Sequence, residues 1–237
     1  MLFNFSAHFV DQFTALNVFR YITFRTGGAM LTALIVSFVC GPYIIRLLKS
    51  YQTEGQPIRE DGPEGHILTK AGTPTMGGFM ILLALVLATL LWADLRNGYI
   101  WAALVVTVAF GLIGFFDDYA KVSLNNSKGI PGKLKLLLQM VFALAATIWI
   151  TSLTSSPLAT SLALPFFKSV LIDLGWFFVV FGILVIVGAS NAVNLTDGLD
   201  GLAIGPVMIA ASVFAIISYL VGNSIFSDYL KVHYVPG

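Results

Sequence analysis

Apolar and polar positions divide the chain into long apolar runs separated by short polar connections. The runs are 26–45, 73–93, 98–116, 136–153, 174–189 and 199–221. Each is close to the ~20 apolar residues with which a helix crosses a bilayer core of roughly 30 Å. Lipid offers no partner for backbone polar groups, so helices are the simplest way to satisfy them. The pattern therefore predicts an all-α, polytopic integral membrane bundle of six spans, forming one transmembrane domain over 1–237. Pro42 is expected to bend the end of the first span. Thr73 before Pro74 reads as the N-cap and first residue of the second. Residues 1–17 lack a basic start and a long apolar stretch, so no cleavable signal peptide is expected there. Phe3, Phe5, Phe9 and Phe13 instead suit a short interfacial helix.

Composition agrees: 57% of residues are hydrophobic and 11% charged, where soluble domains carry about 25% charged residues. The net charge of +1 and the lack of a basic tract give no sign of nucleic-acid binding. Cys40 stands alone within an apolar run, which excludes a disulfide and argues for simple packing.

Lysine and arginine set the expected orientation. Arg46, Lys49, Arg59 and Lys70 lie between spans one and two, and Lys121, Lys128, Lys133 and Lys135 between three and four. Against these eight stand five on the other side: Arg20, Arg25, Arg96, Lys168 and Lys231. The even connections are thus predicted to be cytoplasmic and the N-terminus outside. Residues 70–78, 117–135 and 191–201 then share the cytoplasmic face, so that three distant segments can build one site.

The densest polar stretch runs Asn191-Ala192-Val193-Asn194-Leu195-Thr196-Asp197-Gly198-Leu199-Asp200-Gly201. Carboxylates this near hydrocarbon are costly unless paired or bound to a cation. Asn191, Asn194, Asp197 and Asp200 recur every third residue, which on a helix makes a polar stripe. A broken turn at Gly198 and Gly201 is the competing conformation. Capping of span six by Asp197 would explain only one of the four. Asp117-Asp118 closes span three. Adjacent helical residues point about 100° apart, so the two carboxylates are not expected to share one contact equally. They suit a division of labour, one toward a metal and one toward a reacting group. At the negative end of the helix dipole they are unfavourable alone, and oxygen ligands beside phosphate favour Mg²⁺. The alternative is a pair of interfacial acids neutralised by Lys121 and Lys128. Lys70-Ala71-Gly72-Thr73-Pro74-Thr75-Met76-Gly77-Gly78 opens span two with a lysine and free hydroxyls at a helix start, which suits an anion. Lysines and helix N-termini for phosphate, with carboxylates for Mg²⁺, fit a diphosphate substrate. His8, His66 and His233 are scattered and make no metal site.

These three motifs resemble those of the polyprenyl-phosphate N-acetylhexosamine-1-phosphate transferase superfamily, and within it the bacterial phospho-N-acetylmuramoyl-pentapeptide transferases. The resemblance runs over nearly the whole chain. It implies Mg²⁺-dependent transfer of the phospho-sugar from UDP-N-acetylmuramoyl-pentapeptide to undecaprenyl phosphate, releasing UMP and forming lipid I at the cytoplasmic face of the bacterial plasma membrane. It further implies that Asp117 is the base or acceptor-orienting carboxylate and Asp118 the metal-side one, with exchanged roles equally open. Asn191, Asn194, Asp197 and Asp200 would line the uridine-diphosphate and metal region, while Lys70, Thr75 and Lys121 would contact substrate or phosphates. A homodimer is implied as well. The family has about ten spans, and its later loops carry another acidic Mg²⁺ ligand and a histidine-rich segment. With six spans, the chain is expected to be a truncated product whose metal site is incomplete on its own. Three other readings stand beside this one: transfer of N-acetylglucosamine 1-phosphate to the same lipid, a fragment that only binds, and a transporter. Transporters tend to place polar sites at the midplane, whereas every Asp and Glu here falls at a span end or in a connection.

Overall fold

A computed structural model describes residues 1–52, 74–124, 129–154, 158–164, 167, 170–196 and 202–235. Two compact units divide the chain, Met1–Phe142 and Ala143–Gly237.

In the first unit, a short helix α1 (Leu2–Phe9) and a 3-10 turn (Thr14–Arg20) precede α2 (Ile22–Tyr51), α3 (Gly78–Trp92), α4 (Gly98–Ser123) and the start of α5 (Gly132–Leu153). The expected N-terminal interfacial helix is therefore shorter than 1–17. Helices in lipid gain nothing from hydrophobic burial against one another, so small residues that admit close approach mark their contacts. Ala84, Ala88, Ala102 and Ala109 are buried accordingly. Gly28 of α2 lies beneath the indole of Trp92, where a Cβ would collide with the ring, and Trp92 Nε1 donates to Thr32 Oγ1 at 2.9 Å. Gly111 of α4 receives the Leu82 side chain in the same way. Asn97 caps α4 by accepting the Tyr99 N–H at 2.8 Å.

Several boundaries move from their sequence positions. The first span does not stop at residue 45: α2 contains Pro42 and continues to Tyr51. Helix α3 begins at Gly78, so Pro74 is not its first residue and the expected Thr73–Pro74 start is overturned. The reason is local. Met76 adopts φ 69°, and the backbone of Thr75 is bonded to the Gln52 side chain instead of a helical turn. At 15 residues, α3 is about 22 Å long at 1.5 Å per residue.

The second unit holds the rest of α5, a hairpin of β1 (Ser161–Ala163) and β2 (Leu171–Asp173), then α6 (Phe177–Thr196), α7 (Ile204–Val221) and α8 (Ser224–Leu230). The strands are antiparallel, with Leu162 opposite Ile172. Asp173 Oδ1 accepts from Thr160 Oγ1 at 2.7 Å and from Gly175 N at 2.9 Å. These bonds, the hydroxyl's first, hold its carboxyl below the usual carboxylate range. Gly182 lets α6 close on Thr147 of α5, where a Cβ would come within 2.7 Å of Thr147 Cγ2. No residue of α7 is buried, and large apolar side chains such as Phe214 and Ile209 face outward. A surface of that kind suits lipid. Among the described residues, five helices are long and apolar enough to cross a membrane, with α3 a shorter sixth. The protein is a multi-pass, all-α membrane protein apart from the small hairpin.

Candidate active site

The charged centre of the first unit is built on the last two turns of α4. Asp117 and Lys121 are separated by one helical turn, and Asp118 lies one residue on. Lys121 Nζ lies 2.9 Å from Asp117 Oδ2 and 3.0 Å from Asp118 Oδ1. The expectation that adjacent carboxylates cannot share one contact equally is therefore wrong. Their Cβ directions diverge, but Lys121 stands four residues from one and three from the other. Its long flexible stem brings the ammonium between their outer oxygens.

The environments of the two acids still differ. Asp117 is the inner one, its side chain 11% exposed against 32% for Asp118. Lys135 Nζ, from the first turn of α5, lies 3.5 Å from Asp117 Oδ2. Asp117 Oδ1 accepts the Ile130 backbone N–H at 2.9 Å. This contact requires the chain to pass close by, and Gly129 makes that possible. At φ +61° it would, with a Cβ, come within 2.5 Å of Asp117 Oδ1 and 2.9 Å of Lys121 Cε. Asp118 Oδ2 instead accepts from Thr75 Oγ1 at 2.8 Å. The segment before α3 is thus joined to the end of α4, so two of the three motifs meet.

Two carboxylates and two ammonium groups balance formally. The acid pair is neutralised by Lys121 and Lys135, where the sequence pointed to Lys121 and Lys128; Lys128 lies outside the described residues. Electrostatic need alone therefore does not demand a metal. Among the described residues, no three His, Cys, Asp or Glu side chains gather. The donor chemistry does fit a hard cation. Asp117 Oδ2 and Asp118 Oδ1 already converge on one positive centre, the Lys121 ammonium.

Asn191 and Asn194 occupy the last turns of α6 in the second unit. Asn191 Nδ2 donates to Val187 O at 2.9 Å, and Asn194 is exposed. The helical stripe is real for these two. Lys70, Asp197 and Asp200 lie outside the described residues. Helix α7 is preceded by Ala203 as N-cap, so Asp197 is not the cap of span six.

Sequence reasoning did not single out Gln52, Gly129 or Ile130, and it marked Lys135 as a phosphate-side lysine without its contact to Asp117. Lys135 was visible as a lysine opening an apolar run. A lone amide just past the first span was the available sign for Gln52. Gly129 and the Ile130 N–H had none, because a backbone donor carries no residue-type signature.

Fold and site together define a polytopic helical membrane protein with a neutralised aspartate pair at the end of a span. The glycosyl transferase family 4 profile matches residues 100–232, more than half of the chain, and the chain belongs to that family. Residues 70–82 match phospho-N-acetylmuramoyl-pentapeptide-transferase signature 1, which contains Thr75 and the start of α3. The chain is 61% identical over all 237 of its residues to the phospho-N-acetylmuramoyl-pentapeptide-transferase of Granulibacter bethesdensis, of which it spans 66%.

Proposed function

We propose that the protein transfers phospho-N-acetylmuramoyl-pentapeptide from its UDP-activated donor to undecaprenyl phosphate, yielding lipid I and UMP for peptidoglycan synthesis. The observation that carries this reading is the meeting of the signature segment with the aspartate pair, through Thr75 and Asp118. In the reaction, a phosphate oxygen of the lipid attacks the β-phosphorus of the donor. The bond to the α-phosphate breaks, and its electron pair leaves with UMP.

Such a step depends on positioning and charge neutralisation more than on covalent help from the protein. Asp117, held from three directions, is the group that orients the lipid phosphate or accepts its proton. Lys121 and Lys135 supply positive charge toward the phosphates as they approach. Thr75, with Lys70, contacts the donor, and Asn191, Asn194, Asp197 and Asp200 recognise its uridine diphosphate. Asp118, with Asp117, would hold Mg²⁺, which when bound offsets the charge developing on the departing UMP. The site faces the cytoplasm in the bacterial plasma membrane, in keeping with the lysine-rich connections.

The test is UMP release from UDP-N-acetylmuramoyl-pentapeptide with undecaprenyl phosphate, with and without Mg²⁺. It would be run on this chain and on one of its relatives' full length. Release that needs both substrates and Mg²⁺ is expected from the longer chain. Preferential transfer from UDP-N-acetylglucosamine would replace the donor, and failure by both folded chains would reject the reading.

A further inference from the structure

Gln52 ends α2 and lies well away in sequence from the acid pair, yet it is 7% exposed and turned toward the signature segment. Its Oε1 accepts the Thr75 N–H at 2.9 Å, and its Nε2 donates to Thr75 O at 3.4 Å. One side-chain amide thus satisfies both backbone groups of one residue, as a neighbouring strand would. It does so where the chain has left helical geometry, beside Met76 at φ 69°. A buried amide without partners is costly, so Gln52 and Thr75 fix each other. The fixed Thr75 aims its hydroxyl at Asp118 Oδ2. With that oxygen engaged, Oδ1 is the one presented to Lys121 and the centre of the cluster.

We infer that Gln52 is a positioning residue for the transfer, acting through the Thr75 backbone to set which Asp118 oxygen faces the reacting groups. The inference rests on the transferase reading. Among the described residues, the side-chain hydrogen bonds of Gln52 go to the Thr75 backbone, and it works by holding the 74–77 segment out of a helical turn. Without it, the Thr75 amide loses its acceptor and the segment is free to join α3 by another turn, which carries the hydroxyl away from Asp118.

The experiment compares wild type with Gln52→Met, which keeps the length and volume of the side chain but offers the Thr75 amide no comparable hydrogen bond. Both are assayed alone and with Thr75→Val, in full-length protein in detergent, with thermal unfolding as a folding control. Gln52→Met is expected to lower kcat at least tenfold while KM for the UDP-sugar stays within twofold. In the Thr75→Val background it should add less than twofold, because its route to Asp118 is already cut. Gln52→Glu keeps the accepting oxygen and should recover most of kcat. Amide hydrogen exchange in peptides covering 74–78 should quicken in Gln52→Met. A kcat within twofold of wild type, a change confined to KM, or an undiminished loss on top of Thr75→Val would each overturn the inference. Absence of UMP release by wild type would instead defeat the transferase reading and the positioning role with it. The exchange measurement would then still decide whether Gln52 holds Thr75: unchanged exchange refutes the clamp, and quickened exchange retains it as a structural contact.

Discussion

Gly129→Ala tests the geometry around Asp117 without touching an ionisable group. Two penalties coincide at this position. An L-residue in the left-handed region costs roughly 1–2 kcal/mol, and Gly129 stands at φ +61°. The new methyl would also lie 2.5 Å from Asp117 Oδ1 and 3.2 Å from Asp117 Cγ, so the carboxylate or the 129–130 backbone must move. Either movement lengthens the 2.9 Å bond from the Ile130 N–H. A hydrogen bond to a charged group contributes about 1.5–3 kcal/mol, and partial relaxation keeps the two terms from adding fully. A destabilisation of about 2 kcal/mol or more is expected. If Asp117 shifts by about 1 Å, turnover should fall about 100-fold. Gly114→Ala is the internal control, three residues before Asp117 on the same helix. Apart from its chain neighbours and the backbone of its own helix, no described atom lies within 4 Å of its added methyl, and a helical Gly→Ala change gains about 0.5–1 kcal/mol. Thermal unfolding in detergent and UMP release would be measured for both. If Gly129→Ala matched wild type in both assays, the close approach of the 129–130 backbone to Asp117 would be refuted.

Asp117→Asn keeps an acceptor for the Ile130 N–H but removes the charge that meets Lys121 and Lys135. UMP release should drop by about 10³-fold or more, with a fall in unfolding temperature from the two lost ion pairs, and near-normal transfer would remove Asp117 from the mechanism. Asn97→Ala deletes the cap on α4 and should cost about 1 kcal/mol, read by thermal unfolding, with turnover per folded molecule unchanged. Asp173 has its carboxyl pKa lowered in the folded hairpin by Thr160 and Gly175. Its contribution to hairpin stability is therefore fully present above the unfolded carboxylate value of about 4 and lost as pH falls through the lower folded value. Amide protection across 158–176, corrected for the intrinsic pH dependence of exchange, should fall between pH 5 and pH 3 in wild type and lose that dependence in Asp173→Asn.

Residue pattern alone determined the class of protein and most of its elements. Twenty-residue apolar runs need no tertiary information to be recognised, because bilayer thickness sets their length and lipid forbids unsatisfied backbone within them. The same pattern marked Asp117, Asp118, Lys121 and Thr75, since charged and hydroxyl groups at span ends stand out against an apolar background. Helix ends were less legible. α4 runs past the expected 116 to Ser123 and α6 past 189 to Thr196, because a helix can continue into the interface after its apolar residues stop. The start of α3 moved the other way: Gln52, distant in sequence, takes the backbone bonds that a helical turn would have used. Lys121 stands i, i+4 from Asp117 and i, i+3 from Asp118 on one helix, so its sharing by the two acids is local, and the sequence had named it as a neutralising partner. Tertiary structure alone decided the remaining contacts: Thr75 reaches Asp118 from a segment distant in sequence. The roles of Lys135, Gly129 and the Ile130 N–H likewise depend on where α5 and its preceding turn come to rest against α4. That placement is a matter of packing, and local periodicity does not record it.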